Sequence, residues 1–275
     1  MKMANKISLA GDLGSGKSTV SRILIERLGA TYYSTGAIVR EIADEMGMTV
    51  VELNKYMETH PEIDTRIDDG IRALSRDPRT LVIDSRMAWH FTEGTFKVYL
   101  STDIETSALR IMGANRKGEH AASLEETVRD TRARRASEQK RYGERYGVDI
   151  KDLTNYSLVV DTTYATPERI AEVILAGFSL WQRDGGYSAA YISPERIKMP
   201  DDEADMSAVM TLSATLDGGG EIPTPTVLER DGEFFATGGA ESVLAYSLSG
   251  YDLVPVRLCR GDTLGRKFVE MKNSL

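Results

Sequence analysis

The stretch ISLAGDLGSGKSTVSRILIERLG, from Ile7 to Gly29, sets glycines and a lysine between an apolar run and a segment of helical periodicity. A helix start leaves backbone N–H groups without intrahelical partners and carries partial positive charge, so an anion is stabilised there. A chain bare of side chains lets that anion come close. Gly11, Gly16, Lys17 and Ser18 fit the spacing G-x-x-x-x-G-K-[ST], in which loop amides cradle phosphates, the lysine reaches the outer ones and the hydroxyl ligates Mg²⁺. KISLAG before the loop is β-prone, and after it Val20, Ile23, Leu24 and Leu28 share one helix face, with Gly29 as the stop. These residues predict strand, phosphate loop and helix. Gly11, Gly14, Ser15, Gly16, Lys17, Ser18 and Thr19 would hold a nucleoside triphosphate such as ATP, with Ser18 on Mg²⁺.

The 275 residues, 41% of them hydrophobic, suffice for one large domain or two smaller ones. Up to about residue 180, short apolar runs (KISLAG, TYYST, RTLVIDS, FKVYLS, YSLVVDT) alternate with helical stretches. That alternation predicts an α/β domain, a parallel sheet flanked by crossover helices. The expected helices follow the phosphate loop and cover Gly36 to Gly47, Val50 to Glu58, Ile63 to Ser75, Ser123 to Tyr146 and Pro167 to Gly177. The last opens on Thr166 and Pro167 and closes domain 1–180. Glycines and an acidic cluster place a linker near Gln182 to Ser188. Residues 188–275 then read as a smaller α+β domain, with two strands around the turn Asp231-Gly232, a helix in AESVLAYSLSG and a strand in LVPVRLC.

Charge narrows the partners. Through Gly185 there are 26 basic and 28 acidic residues, and after it 8 and 14, so neither half carries the positive excess that a nucleic-acid backbone requires. No long apolar segment spans a bilayer, and MKMANK lacks the apolar stretch of an export signal, so a cytoplasmic chain without membrane or nucleic-acid partners is expected. Cys259, the single cysteine, sits in an apolar strand and reads as a small core residue.

Further phosphate-handling residues recur at element ends. Ser34 lies at a strand end with Arg40 in the next helix, and LVIDSR ends a β-prone run with Asp84 and Arg86. A planar guanidinium donates two parallel hydrogen bonds to a phosphate, and a carboxylate holds the water shell of Mg²⁺, which makes Asp84 a second candidate for the metal. In TVRDTRARRASEQKRYGERYG, Arg134, Glu138 and Arg141 fall at i, i+4 and i+7 and hence on one face. Histidines 60, 90 and 120 fall in none of these motifs.

The order GDLGSGKSTV, STGAIVREIA, PEIDTRID, LVIDSR and RRASEQKRYGERYGVDIKDLTNYSLVVDTT resembles nucleoside monophosphate kinases, above all the compact archaeal-type cytidylate kinases, over about Lys6 to Phe178. The resemblance implies a P-loop NTPase fold and ATP-dependent phosphoryl transfer with Mg²⁺ to a nucleotide, CMP or dCMP. It implies Ser34, Arg40 and Arg86 on the acceptor phosphate and Glu138 near the sugar. Lys17, Arg134 and Arg141, joined by Arg116 of the lid segment RIMGANRKGEH, would stand on the transferring phosphates.

The C-terminal region more faintly resembles the ParB/sulfiredoxin-like module. Gly238, Gly239, Ala240 and Glu241 stand where that pattern carries glycine followed by arginine or cysteine-histidine, so a regulatory or docking role is expected, through a protein partner or self-association. Two alternatives stay open: a kinase of a different small acceptor recognised together with that domain, and a nucleotide-dependent switch.

Overall fold

The computed structural model describes residues 5–114, 123–201, 204–259 and 268–269. They form two compact units, one holding the chain up to Leu158 together with Pro167–Tyr187, the other holding Val159–Thr166 and the chain from Ser188 on.

In the first unit, strands β1 (Lys6–Gly11), β2 (Thr31–Ser34), β3 (Leu81–Asp84) and β4 (Thr95–Ser101) lie side by side in the order β4-β1-β3-β2. Each pairing is parallel: β1 with β3, β1 with β4, and β2 with β3. All four strands therefore end on one edge, the edge at which open α/β sheets bind ligands. The helices are α1 (Lys17–Leu28), α2 (Thr35–Glu45), α3 (Val50–Met57), α4 (Pro61–Ala73), the single turn α5 (Ala88–Phe91), α6 (Ile104–Gly113), α7 (Leu124–Tyr146) and α8 (Pro167–Asp184). β1 is buried along its whole length, as a strand covered on both faces must be. Against β3, a cluster built on Ile42, Leu53, Met57, Ile67, Ile71, Leu81 and Ile83 joins α2, α3 and α4 into one wall. This is the α/β P-loop NTPase architecture.

Local chemistry accounts for several boundaries. Thr49 and Glu52 close a capping box at the start of α3, Asp103 caps α6, Ser123 caps α7, and Gly147 ends α7 in the left-handed conformation. The end of α8 and the presence of α6 differ from the sequence expectation. Helix α8 does not stop at Gly177 but runs to Asp184, so the expected linker begins inside a helix. A Cβ at Gly177 would lie 3.1 Å from the Phe96 ring, and Trp181, one turn on, packs on the same ring at 5.7 Å between centroids. The glycine there admits an aromatic ring; it does not end the helix. Helix α6, which periodicity did not single out, is fixed by its Asp103 cap and by a hydrogen bond from Ser107 Oγ to Leu13 O of the phosphate loop.

The second unit contains β5 (Leu158–Asp161, from Val159 on), β6 (Ala189–Ile192), β7 (Ile197–Pro200), α9 (Met206–Asp217), β8 (Thr226–Arg230), β9 (Glu233–Gly238), α10 (Ala240–Leu248), β10 (Val254–Cys259) and β11 (Phe268–Val269). Its sheet is mixed, in the order β11-β7-β9-β8-β10-β6-β5. β8 and β9 form the expected hairpin, with Asp231 at φ 55° and Gly232 at φ 85° in its two-residue turn. Cys259 departs from expectation: at the end of β10 it is only half-buried, and its Sγ lies 3.5 Å from Thr237 Oγ1. At the end of β5, Asp161 accepts at Oδ1 from Arg196 at 3.1 Å, and Arg196 also donates to Thr163 Oγ1 at 3.0 Å; the ion pair is almost fully buried. Among the described residues no helix is long and apolar enough to cross a membrane.

Candidate active site

β1 ends at Gly11, and the chain turns through Asp12 to Gly16 before α1 begins at Lys17. The loop lies close over the start of α6. A Cβ at Gly14, whose φ is +69°, would stand 2.5 Å from Ser107 O, so no side chain fits. Gly16, at φ 79°, takes the cap position of α1 with no side chain satisfying the first amides, which leaves them for an anion. Buried Ser15 turns its hydroxyl inward to Asp12 O at 2.8 Å, whereas Ser18 and Thr19 are exposed on the first turn of α1.

Lys17 folds back along the loop, its Nζ donating to Asp12 O at 2.8 Å and to Gly11 O at 3.1 Å. Burial pulls its ammonium down from 10.5 to about 8, with Asp84 opposing that shift and Arg86 adding to it. Lys17 thus shares one electrostatic neighbourhood with Asp84, Arg86, Asp12 and Glu138. Asp84 ends β3, next to β1, and its Oδ2 accepts from Tyr32 Oη at 3.0 Å. Ser18 Oγ and this carboxylate are oxygen donors of the kind Mg²⁺ takes.

Glu138, on α7, binds two guanidinium groups: Arg86 Nε at 2.6 Å from Oε2 and Arg134 Nε at 3.2 Å from Oε1. The i, i+4 spacing of Arg134 and Glu138 sets the second contact, while Arg86 arrives from beyond β3. Together with Arg40 and Arg141, these residues line a cleft of about 860 Å³ whose walls come from α2, α3, α4 and α7. Arg141 lies over the Tyr142 ring at 5.2 Å. Ser34 caps α2, its Oγ accepting from Ala37 N at 3.3 Å, and its neighbour Thr35 lines the cleft. The structure thus brings Arg40, Arg86, Arg134, Glu138 and Arg141 into one concavity, with the phosphate loop and Asp84 linked to it through Arg86. Arg116 lies outside the described residues.

Sequence reasoning left the far wall of this cleft unassigned. Asn54, Asp64 and Asp68 line it, and the two carboxylates are 6% and 5% exposed. Burial pushes both carboxyls up, against the pull of Arg141 and Arg145 on Asp64 and of a hydrogen bond from Tyr146 Oη on Asp68. The signal was present in PEIDTRIDDGI: Asp64 and Asp68 occupy the same i, i+4 stripe as buried Ile67 and Ile71. A charged residue on the apolar stripe of a helix marks a polar cavity or a pairing partner.

The cytidylate kinase-like family matches residues 6–164. A cytidylate kinase from Thermoplasma volcanium is 36% identical over 174 residues, covering 62% of this chain and 89% of that protein. An S-adenosylmethionine-dependent nucleotide dehydratase from Lacinutrix mariniflava is 35% identical over 177 residues, 63% of this chain and 36% of that protein. A sulfiredoxin structure from Arabidopsis thaliana aligns with 26% of this chain and 85% of its own at 20% identity, with a TM-score of 0.25. With a phosphate loop at the carboxyl edge of a parallel sheet and a family match over more than half of its length, the chain is an ATP-dependent phosphotransferase belonging to the cytidylate kinase-like family.

Proposed function

We propose that this protein transfers the γ-phosphoryl group of ATP to the phosphate of CMP or dCMP in the cytoplasm. The observation that carries this reading is the cleft, which joins four guanidinium groups to a wall of buried carboxylates. Arg40, Arg86, Arg134 and Arg141 suit a phosphate, and Asn54, Asp64 and Asp68 suit a base. A carboxylate accepts from the N4 amino group of cytosine, whereas uracil offers an oxygen there, which a carboxylate repels. The kinship with cytidylate kinases points the same way.

Phosphoryl transfer spreads charge over the equatorial oxygens, so catalysis rests on positioning and on fixed positive charge. The acceptor is already a phosphate oxygen and needs no general base. In this reading Lys17 and the loop amides from Gly11, Gly14, Ser15, Gly16, Ser18 and Thr19 hold the donor. Ser34, Arg40 and Arg86 hold the acceptor phosphate, Arg134 and Arg141 lie on the group in transit, and Glu138 orients Arg86 and Arg134. Ser18 and Asp84 would hold Mg²⁺, which when bound would supply neutralising charge to the donor's phosphates.

We read the second unit as a docking or regulatory module for a protein partner or a second copy of the chain. Glu241 lies in the first turn of α10, where it sets a fixed anion at the electropositive helix end that a bound phosphate would need. The test of the reaction is coupled ADP release with a panel of nucleoside monophosphates. CMP and dCMP are expected to turn over well above UMP and AMP, and equal background turnover with all of them rejects the reading.

A further inference from the structure

The phosphate loop carries a carboxylate of its own. Asp12, 5% exposed, accepts from Tyr99 Oη at 2.9 Å and from Thr102 N at 3.1 Å, and Lys151 Nζ donates to its Oδ1. Arg135 Nη2 stands 3.8 Å from the same oxygen, within charge contact but beyond hydrogen-bond range. The Nε and Nη2 atoms of Arg135 are buried without any hydrogen-bond partner. Burial favours the neutral Asp12 carboxyl, yet the pull of Lys151 and Arg135 prevails and brings it down to about 2.

Two features of this cluster point beyond a structural pairing. First, its cations face a concavity of about 360 Å³ bounded by Gly11 and Leu13 of the phosphate loop, Arg86, Arg135, Glu138 and Lys151, so it opens onto the loop that holds the donor. Second, Arg86 and Arg134 give their Nε donors to Glu138, whereas the buried Arg135 donors have no acceptor. A half-buried guanidinium with two buried, unmet donors beside a phosphate cradle costs free energy that an arriving anion recovers.

We propose that Arg135 and Lys151 bind the donor's phosphates, and that Asp12 is the internal anion they give up when those phosphates arrive. Asp12 keeps two cations next to the loop and compensates their charge; arriving phosphate oxygens compete for the same donors. The exchange needs only side-chain movement at Arg135 and Lys151, since Asp12 keeps its hydrogen bonds from Tyr99 and Thr102. This inference rests on the phosphotransferase assignment but not on the identity of the acceptor.

Inorganic tripolyphosphate, which has the donor's charge without base or sugar, tests it by calorimetric titration of the full chain. Arg135→Met is expected to weaken tripolyphosphate binding about tenfold, with Arg135→Lys regaining part of the loss. Asp12→Asn is expected to tighten binding severalfold, and that gain is expected to vanish in the Asp12→Asn/Arg135→Met/Lys151→Met triple variant. Binding within twofold of the parent in Arg135→Met, or a gain from Asp12→Asn that persists without Arg135 and Lys151, overturns the proposal. Should Asp12→Asn not fold, Lys151→Met takes its place: an affinity loss supports the exchange, and unchanged affinity overturns it. A failure of CMP turnover leaves these binding results standing, so the two readings fail separately.

Discussion

Arg86 Nε and Glu138 Oε2 stand 2.6 Å apart, joining the segment after β3 to the middle of α7. The same carboxylate takes Arg134 through its other oxygen, so one buried anion fixes two guanidinium groups and holds them together against their mutual repulsion. Glu138→Gln keeps the shape and removes the charge. It is expected to lower kcat/KM for CMP by about 10- to 100-fold, about 1.4 to 2.7 kcal/mol of transition-state stabilisation. Steady-state kinetics with CMP varied at saturating ATP reads this, and an unchanged kcat/KM shows that the guanidinium groups hold their places without the carboxylate.

Burial disfavours the charge on the Lys17 ammonium and pulls it down to about 8. A bound polyphosphate favours its protonated form, so binding takes up a proton once the free group has lost it. KM for ATP is therefore expected to be flat below about pH 8 and to rise above it, about tenfold per pH unit well beyond the midpoint. Lys17→Met is expected to lower kcat/KM by about 10³-fold and to abolish this rise. The measurement is the pH profile of KM for ATP in both proteins.

The glycines of the phosphate loop differ in what they tolerate. At Gly14 a Cβ meets backbone at 2.5 Å in a left-handed conformation, whereas at Gly16, also left-handed, nothing lies within 4 Å. Gly14→Ala is expected to destabilise the fold by roughly 3 kcal/mol or more, and Gly16→Ala by about 1 kcal/mol. Urea unfolding of the two variants orders them. Equal losses show that the loop moves away from α6 freely.

Asp64 tests how the base is read. Asp64→Asn keeps an acceptor but adds donors that suit the O4 of uracil, so the CMP-to-UMP ratio of kcat/KM is expected to fall at least tenfold, within the range of about 1–3 kcal/mol for one well-placed base contact. Competition kinetics with both nucleotides measures this. A ratio within twofold of the parent removes Asp64 from base recognition.

In the second unit, Arg196 and Asp161 are 6% and 0% exposed at the side chain, and Arg196 Nη2 also donates to Gly232 O at 2.5 Å. Arg196→Met leaves Asp161 buried without its counter-charge and is expected to cost about 3–5 kcal/mol, read by urea unfolding of the full chain. The paired change Arg196→Met/Asp161→Leu is expected to recover most of that loss, because neither charge then remains buried alone.

Local order made part of this protein legible from residues alone. The strand, loop and helix around Lys17, the helix from Ser123 to Tyr146, and the Asp231-Gly232 turn each rest on chemistry within a few positions. The alignment of Arg134 with Glu138 follows from helical spacing. These features depend on backbone conformations and i, i+4 neighbours that a sequence states directly.

Tertiary structure decided what lies across long separations. Asp12 meets Lys151 over 139 positions, Arg86 reaches Glu138 from another element, and Asp64 and Asp68 become cleft walls only because α4 packs beside α2, α3 and α7. Gly177 reads locally as a stop, yet α8 runs on to Asp184 with the Phe96 ring packed where a Cβ would stand. The sequence names the charged groups and their spacing along the chain. Which of them share a pocket, and which are already paired there, depends on packing of distant segments that no local rule encodes.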